Sequence, residues 1–354
     1  LGAADLELPP MRIRLLVPVA QKRLVPRMLR AARLSVAWFG LHYGAYPYPQ
    51  VTVVSTPPGA EEAGGMEYPT FITTGAERLD EFAPFSWSND IEVVTVHEFG
   101  HQYFQGMLAS NEFEEPWLDE GVNSYAEILC MSDIADDNLV PEMRTFSSWG
   151  GERAFLATQT VPLTIARKAW EHRNRFMYFL ASYGKTAVAL RNVEGLIGSG
   201  AMARGLRTYF ERFAFQHPGG RDLVAVLSEV GGVDLTPFFD QAVYSDATPD
   251  WGVLDVRHRR PKKRDGFTWD GARWVPDKTP DGEDDTIVVG DEDSIWQVEV
   301  NLVRRGDLVG PVDVELTWED QTSERRTWDS GERWVRWHLE SRHRLEQVVV
   351  DPDG

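Results

Sequence analysis

Cysteine is nearly missing from this chain of 354 residues, with Cys130 the single example. That excludes a disulfide framework and any metal site built from thiolates. Cys130 stands in the apolar run "YAEILCM", which predicts a buried, inert thiol rather than a nucleophile. Also missing is any run of about eighteen apolar residues, so no membrane-spanning helix is expected. The first residue is Leu1, not Met, and no signal-peptide pattern follows it. Compartment therefore cannot be read from the start of the chain. Positive charge is in deficit: 36 Lys and Arg stand against 55 Asp and Glu, a net charge of −19. Binding to a phosphate backbone needs a basic surface, so nucleic acid is excluded as the main partner. One basic run, "RHRRPKKR" from Arg257 to Arg264, reads as a solvated hairpin or linker.

What is present is the composition of an ordinary globular protein, 42% hydrophobic and 26% charged, on a chain long enough for more than one domain. Residues 1–88 are rich in strand signals: "MRIRLLV" at 11–17, "VTVVST" at 51–56 and "MEYPTFIT" at 66–73. Between the first two lies a helix-spaced run from Leu24 that stops at Gly44. Strand, helix, strand predicts a small mixed sheet with helical cover. Residues 89–250 are mostly helical by spacing. One helix starts at "NDIEVV", capped by Asn89, and stops near Gly106. Another starts at "EPWLDEG" with Pro116 in its first turn. Further helices are expected over 173–182, 185–197, 200–213, 221–230 and 236–243. From 251 to 354 the period changes to two, as in "SIWQVEVNLV" and "GPVDVELTW", which predicts a small all-β sandwich. The related segments "TWDGARW" and "TWDSGERW" read as two hairpin turns flanked by tryptophans. The stretch 276–285 reads as a polar loop. The fold class is thus α+β with two domains, 1–250 and 251–354.

The stretch "TVHEFGHQYF", residues 95–104, carries the chemistry. On a helix, His97 and His101 project from one face one turn apart, so two imidazoles can bind one cation. Glu98, beside the first histidine, can reach a water on that cation. The competing reading is two helix histidines with partners in the core. A catalytic zinc needs a third protein ligand and an open position. Eighteen residues separate His101 from Glu120 of "WLDEG", which sits at the start of the next predicted helix and can return to the histidine pair. Glu127 lies two turns further along the same face and is a candidate partner for the outer nitrogen of a ligand histidine. Spacing alone serves a solvent-facing Glu127 equally well.

"HEFGH", eighteen residues and then "WLDEG" resemble the aminopeptidase N family of thermolysin-like zinc peptidases, the gluzincins, which include leukotriene hydrolase. "GGMEYP", Gly64 to Pro69, resembles the family's exopeptidase motif, and "YGKTAVAL" from Tyr183 resembles its tyrosine-x-lysine-glycine segment. The three motifs stand in the family's order, across roughly residues 10 to 250. The resemblance implies a thermolysin-like catalytic domain followed by the β module. It implies one zinc ion held by His97, His101 and Glu120, with Glu98 as general base. It implies Tyr183 as donor to the oxyanion. It also implies that Gly64, Gly65, Met66 and Glu67 bind substrate, Glu67 taking the free α-ammonium of a peptide. Tyr68 stands where the family has asparagine, and Thr186 where it has glycine. The family's large preceding β domain has no room ahead of "MRIRLLV", so a piece of a longer protein with an open cleft is expected.

The expected function is a zinc aminopeptidase acting on peptides with a free N-terminus. The alternatives are an endopeptidase or non-peptide hydrolase on the same zinc site, or a non-catalytic scaffold descended from the family. The histidines outside the motif, such as His42 and His172, lack comparable spacing and read as surface or locally bonded residues. Arg173, Arg175 and Lys185 read as solvated helix charges. Nothing in the pattern bears on oligomeric state.

Overall fold

The run "VTVVST" carries β-branched side chains at most positions, and it is the central strand of a three-stranded sheet in the computed structural model, which describes residues 8–57, 59–60, 63–75, 90–136, 149–157, 162–259, 267–276 and 295–352. Strand β1 (Arg12–Leu16) pairs with β2 (Gln50–Thr56), and β2 with β3 (Phe71–Gly75), both in parallel. Val51 and Val53 are fully buried, the usual state of a strand covered on both faces. The three described strands run parallel, and the antiparallel element at this sheet is a single bridge between Met66 and Thr73. The reason is connectivity, because a helix between β1 and β2 carries the chain back to the starting end of the sheet.

That helix is α1 (Val25–Tyr43), with Pro26 in its first turn, where no N–H is needed, and Gly44 after its end at φ 124°. Helix α2 (Asp90–Phe104) packs against α1, β3 and a third helix, α3 (Val122–Asp136). The predicted cap of α2, Asn89, lies outside the described residues. Phe39 of α1 meets Phe99 and Tyr103 of α2 with ring centroids at 5.9 and 5.5 Å, and all three are fully buried. Burial of side chains this large stabilises by about 1.5–3 kcal/mol each. Two polar ties register the helices. Arg27 donates to both oxygens of the buried Glu92 at 2.7 and 2.6 Å, and Trp38 Nε1 donates to Asp133 at 2.7 Å. Helix α2 is therefore held in place by contacts along its whole length.

The rest of this unit is helical: α4 (Trp149–Ala157), α5 (Arg175–Phe179), α6 (Thr186–Ile197), α7 (Ser199–Phe213), α8 (Gly220–Gly231) and α9 (Thr236–Ala242). Two π-helical turns interrupt it, Trp117–Gly121 leading into α3 and Leu180–Lys185 joining α5 to α6. The helices expected over 173–182 and 185–197 are thus one helical run with a widened turn inside it. The two π turns pack on each other. Widened turns of this kind concentrate at functional sites.

The chain divides into two compact units, Leu1–Asp246 and Ala247–Gly354. The second contains two antiparallel sheets, one of β4 (Trp251–Arg259), β7 (Trp296–Arg304) and β10 (Trp334–Ser341), the other of β8 (Val312–Trp318), β9 (Ser323–Trp328) and β11 (Leu345–Val350). Val298, Val300 and Leu302 of β7 share one apolar cluster with Val314 and Leu316 of β8, which is how two sheets form a sandwich. A short hairpin, β5 (Phe267–Trp269) and β6 (Trp274–Pro276), makes the turn expected at "TWDGARW": Asp270 accepts from the N–H groups of Ala272 and Arg273, and Gly271 has φ 98°. The expected second hairpin, "TWDSGERW", is overturned. Strands β9 and β10 belong to different sheets, and the segment crosses between them with Ser330 buried and its carbonyl bound by Arg304. Of the basic run, Arg257 to Arg259 lie in β4 and the rest falls outside the described residues, as does the expected polar loop beyond Pro276.

Candidate metal centre and active site

One turn of α2 separates His97 from His101, and their Nε2 atoms approach to 3.0 Å. Glu120, in the first π turn, places Oε2 at 3.3 Å from His97 Nε2 and 3.2 Å from His101 Nε2. The outer nitrogens are held as well. His97 Nδ1 lies 2.8 Å from Glu127 Oε2 on α3, and His101 Nδ1 lies 2.6 Å from Asp119 Oδ1. The first is an aligned hydrogen bond, whereas the second is a close charge contact off the N–H direction. A carboxylate only accepts, so the protons belong on Nδ1, and both Nε2 lone pairs then face each other and Glu120. Three acceptors at 3.0–3.3 Å repel unless a cation lies among them. Zinc with bonds of about 2.0–2.2 Å in tetrahedral array separates its ligands by about 3.3 Å, so these donors fit that ion.

The electrostatics agree. His97 is buried, which lowers its pKa, yet hydrogen bonds to Glu120 and Glu127 outweigh this and push it up to about 10. Burial of His101 is likewise outweighed by Asp119 and Glu120, which hold it well above the usual imidazole range. Burial would raise Glu120, but the two histidines pull it far below the ordinary carboxylate range. The pocket is charged to favour a cation. His97 and Glu120 retain 9% exposure against 2% for His101 and Asp119, so solvent reaches the cluster from their side.

Two glycines bring the partners close. A Cβ on Gly100 would lie 2.0 Å from Asn123 Oδ1 and 2.7 Å from the Phe39 ring, so the glycine lets α3 close on α2, where Asn123 donates to the His97 carbonyl at 2.8 Å. A Cβ on Gly121 would lie 2.2 Å from Thr186 Cγ2, and its absence lets the Glu120 turn meet the turn carrying Tyr183. The Tyr183 ring stacks on His97 at 5.6 Å and 14°, and burial followed by the Glu120 charge keeps its hydroxyl protonated.

Across the pocket, the segment Gly64–Glu67 runs beside β3. Thr73 Oγ1 donates to the Gly64 carbonyl at 2.6 Å, and the Met66 N–H and carbonyl pair with Thr73. Gly65 abuts the general-base candidate, since a Cβ there would lie 1.9 Å from Glu98 Oε1. Glu98 is buried, and burial pushes its carboxyl up to about 7 against the lowering effect of the two histidines. Ligand atoms of Glu67, His101 and Asp119 lie within 4.8 Å of one another. Burial, above all, raises Glu67, with Asp119 and Glu120 adding to it.

The structure thus brings together His97, His101, Glu120, Glu98, Glu127, Tyr183 and Glu67, with Gly64, Gly65 and Met66 contributing mainly backbone. Glu127 is buried rather than solvent-facing. The solvated reading of Lys185 is corrected: it is half-buried and donates to the Leu163 carbonyl. Arg173 and Arg175 are exposed. Four residues escaped the sequence reading. Asp119 holds His101. Glu112 lies near Asp119 and is raised by burial and by Glu67. Gln102 ties the substrate-side loop to α2, donating to the carbonyls of Glu67 and Tyr68 at 3.2 and 3.3 Å and accepting from Thr70 N–H at 2.8 Å. Tyr178 stands edge-on to Tyr183 at 6.3 Å. Adjacency to motif residues was the available signal for Asp119 and Gln102.

The family described as "Peptidase family M1 domain" matches residues 33–242, more than half of the chain and all of the site above. The chain belongs to the M1 peptidase family. The M1 chain is similar to "Probable aminopeptidase 1" of Sulfurisphaera tokodaii, 26% identical over 225 residues that make up 60% of this chain and 26% of that protein. It is also similar to "Aminopeptidase N" of Lactococcus lactis, 25% identical over 193 residues, 50% of this chain and 21% of that protein. It therefore spans well under half the length of these relatives. Among solved structures, aminopeptidase A of Legionella pneumophila, in complex with aspartic acid, covers 93% of this chain at a TM-score of 0.63 and 14% identity, the match taking in 34% of that chain. An M1 zinc metallopeptidase mutant from Deinococcus radiodurans covers 70% at a TM-score of 0.50 and 19% identity, with 52% of that chain matched. At these identities the structural likeness shows a shared α+β fold.

Proposed function

We propose that this chain carries the active site of a zinc aminopeptidase that releases N-terminal residues from peptides. The observation that carries the reading is the convergence of His97 Nε2, His101 Nε2 and Glu120 Oε2, with both outer imidazole nitrogens backed by carboxylates. His97, His101 and Glu120 would hold one zinc ion. When bound, zinc supplies Lewis acidity that polarises a carbonyl and makes a water acidic near neutral pH.

The chain's own residues do the rest. Glu98 takes the proton of the attacking water and delivers it to the leaving amine, and burial, which raises its affinity for a proton, suits that shuttle. Tyr183 keeps its proton at any working pH and donates that O–H to the oxygen that becomes negative as the carbonyl is attacked. One donor of this kind contributes about 2.7–4 kcal/mol to lowering the barrier. Glu67, with Asp119 and Glu112 close by, makes the recess beside His101 acidic, which suits a substrate α-ammonium. Counting from the N-terminus follows, because a blocked amine brings no charge to this recess.

The test is a panel of aminoacyl chromogenic amides, free and N-acetylated, assayed with and without a chelator. Turnover of the free amides alone, abolished by chelation and restored by zinc, is expected. Equal cleavage of the acetylated set points to an endopeptidase or other hydrolase on the same site. Absence of bound zinc from the purified protein, with no turnover after zinc is added, points to a scaffold and sinks the proposal.

A further inference from the structure

Helix α4 lays Trp149, Glu152 and Phe155, three residues apart, along one face. Trp149 is pinned by the Tyr125 ring at 5.5 Å and by the Arg191 guanidinium at 5.5 Å, and Phe155 stands edge-on to Phe176 at 6.3 Å. Between these anchors sits a carboxylate with no hydrogen-bond partner among the described residues. Glu152 Oε2 lies 2.5 Å from the point where a Cβ on Gly184 would be, and Glu152 Cδ lies 3.6 Å from it. Gly184 follows Tyr183 directly, in the π turn Leu180–Lys185 that packs against α4. Its φ is not in the left-handed region, so no backbone conformation calls for glycine there. What calls for it is the space that Glu152 fills. A leucine or methionine would fill that space without removing a charge from water, so packing alone does not account for a carboxylate. Glu127, which holds His97, is the charge that acts on Glu152 from α3. On the elements packed against α4 the ionisable residues include Tyr183 and Lys185 of the π turn and Arg191 and Glu194 of α6, the last two paired with each other at 2.6 Å.

We propose that Glu152 is a positioning residue for Tyr183: its carboxylate, seated in the notch left by Gly184, braces the turn that aims the Tyr183 hydroxyl into the pocket. The inference rests on the aminopeptidase reading for its kinetic readout alone. Burial, reinforced by the Glu127 charge, pushes the Glu152 carboxyl up to about 7.

The test is a double-mutant cycle on the zinc-loaded protein: Gly184→Ala, Glu152→Ala and both together, with Glu152→Gln as the conservative variant. Each single alanine variant is expected to lose about ten- to a hundredfold in kcat, with KM within about threefold, because misplacing a catalytic donor by an ångström has that effect. The double variant is expected to turn over faster than either single one, since the new methyl occupies the space the carboxylate vacates. Glu152→Gln is expected to stay within about threefold of the parent, since the amide keeps the carboxyl's shape. If the two losses simply multiply, or if neither single variant loses activity, the proposal is overturned. Should the parent cleave no aminoacyl amide, the functional reading has failed instead. The same cycle read on the thermal unfolding midpoint then decides this inference, a double variant more stable than Gly184→Ala supporting it and an additive result overturning it.

Discussion

Replacing Gly65 by alanine is a sharp test of the active-site geometry, because it separates activity from stability. The added Cβ would lie 1.9 Å from Glu98 Oε1, and ordinary contact begins near 3.4 Å, so the carboxylate has to withdraw by the difference. Gly65 does not have a left-handed φ, so alanine brings no backbone strain. The atom in the way is the far end of a flexible side chain, and turning it off its rotamer costs about 0.5–1.5 kcal/mol. The unfolding midpoint should therefore fall by only a few degrees. Catalysis responds differently, because a base displaced by about an ångström loses roughly a hundredfold in rate. The assay is steady-state cleavage of an aminoacyl chromogenic amide, with bound zinc measured on the same preparation. The expected result is a kcat lower by about a hundredfold with zinc content unchanged, since Glu98 is not a ligand. A kcat within about threefold of the parent would refute the placement of Glu98 against this loop.

Glu127→Gln or Asp119→Asn removes the carboxylate behind one ligand histidine and should weaken zinc binding by about 10–100-fold, read by competition with a chromogenic chelator. Arg27→Met leaves Glu92 buried without its bidentate partner and should cost about 3 kcal/mol, measured by urea unfolding, with kcat in the surviving folded fraction unchanged. Glu152 is raised from 4.5 to about 7 by burial and by Glu127, so between those values the native state keeps a proton that the unfolded chain has released, and stability falls as pH rises. Glu152→Gln should thus match the parent near pH 5 and exceed it at pH 8 by about 1–2 kcal/mol, after discounting for partial exposure. Gly100→Ala drives a methyl into Asn123 and the Phe39 ring and should destabilise by about 1–3 kcal/mol, seen as a lower urea midpoint.

Much of the site was legible because its parts are local. Two histidines four residues apart on a helix share a face whatever the rest of the chain does, and Glu98 follows from adjacency. The β-sandwich was legible from its period of two. The misreadings came where the outcome depends on contacts distant in sequence. Nothing local distinguishes the hairpin at "TWDGARW" from the crossover at "TWDSGERW", since sheet membership is decided by which strands lie alongside. The helices expected to break near Tyr183 are continuous, because a π turn widens the backbone and shifts the side-chain spacing without ending the helical run. Lys185 reads as a solvated charge until the Leu163 carbonyl, 22 residues earlier, is placed beside it.

From its residues alone, the chain determined a helix with two imidazoles on one face, a carboxylate on the next helical segment able to return to them, and a separate β unit. Only the tertiary structure decided which other acids join them. Asp119 and Glu120 are neighbours in sequence, yet they meet opposite nitrogens of the single His101 ring, a clasp that depends on how the π turn sits over α2. Gly65, Gly100, Gly121 and Gly184 likewise look like ordinary glycines until the atoms filling their missing side-chain positions are known. The physical reason is that ligand spacing along a helix is set by covalent geometry and local hydrogen bonds. The approach of one backbone to another is set by packing between segments that the order of residues does not place side by side.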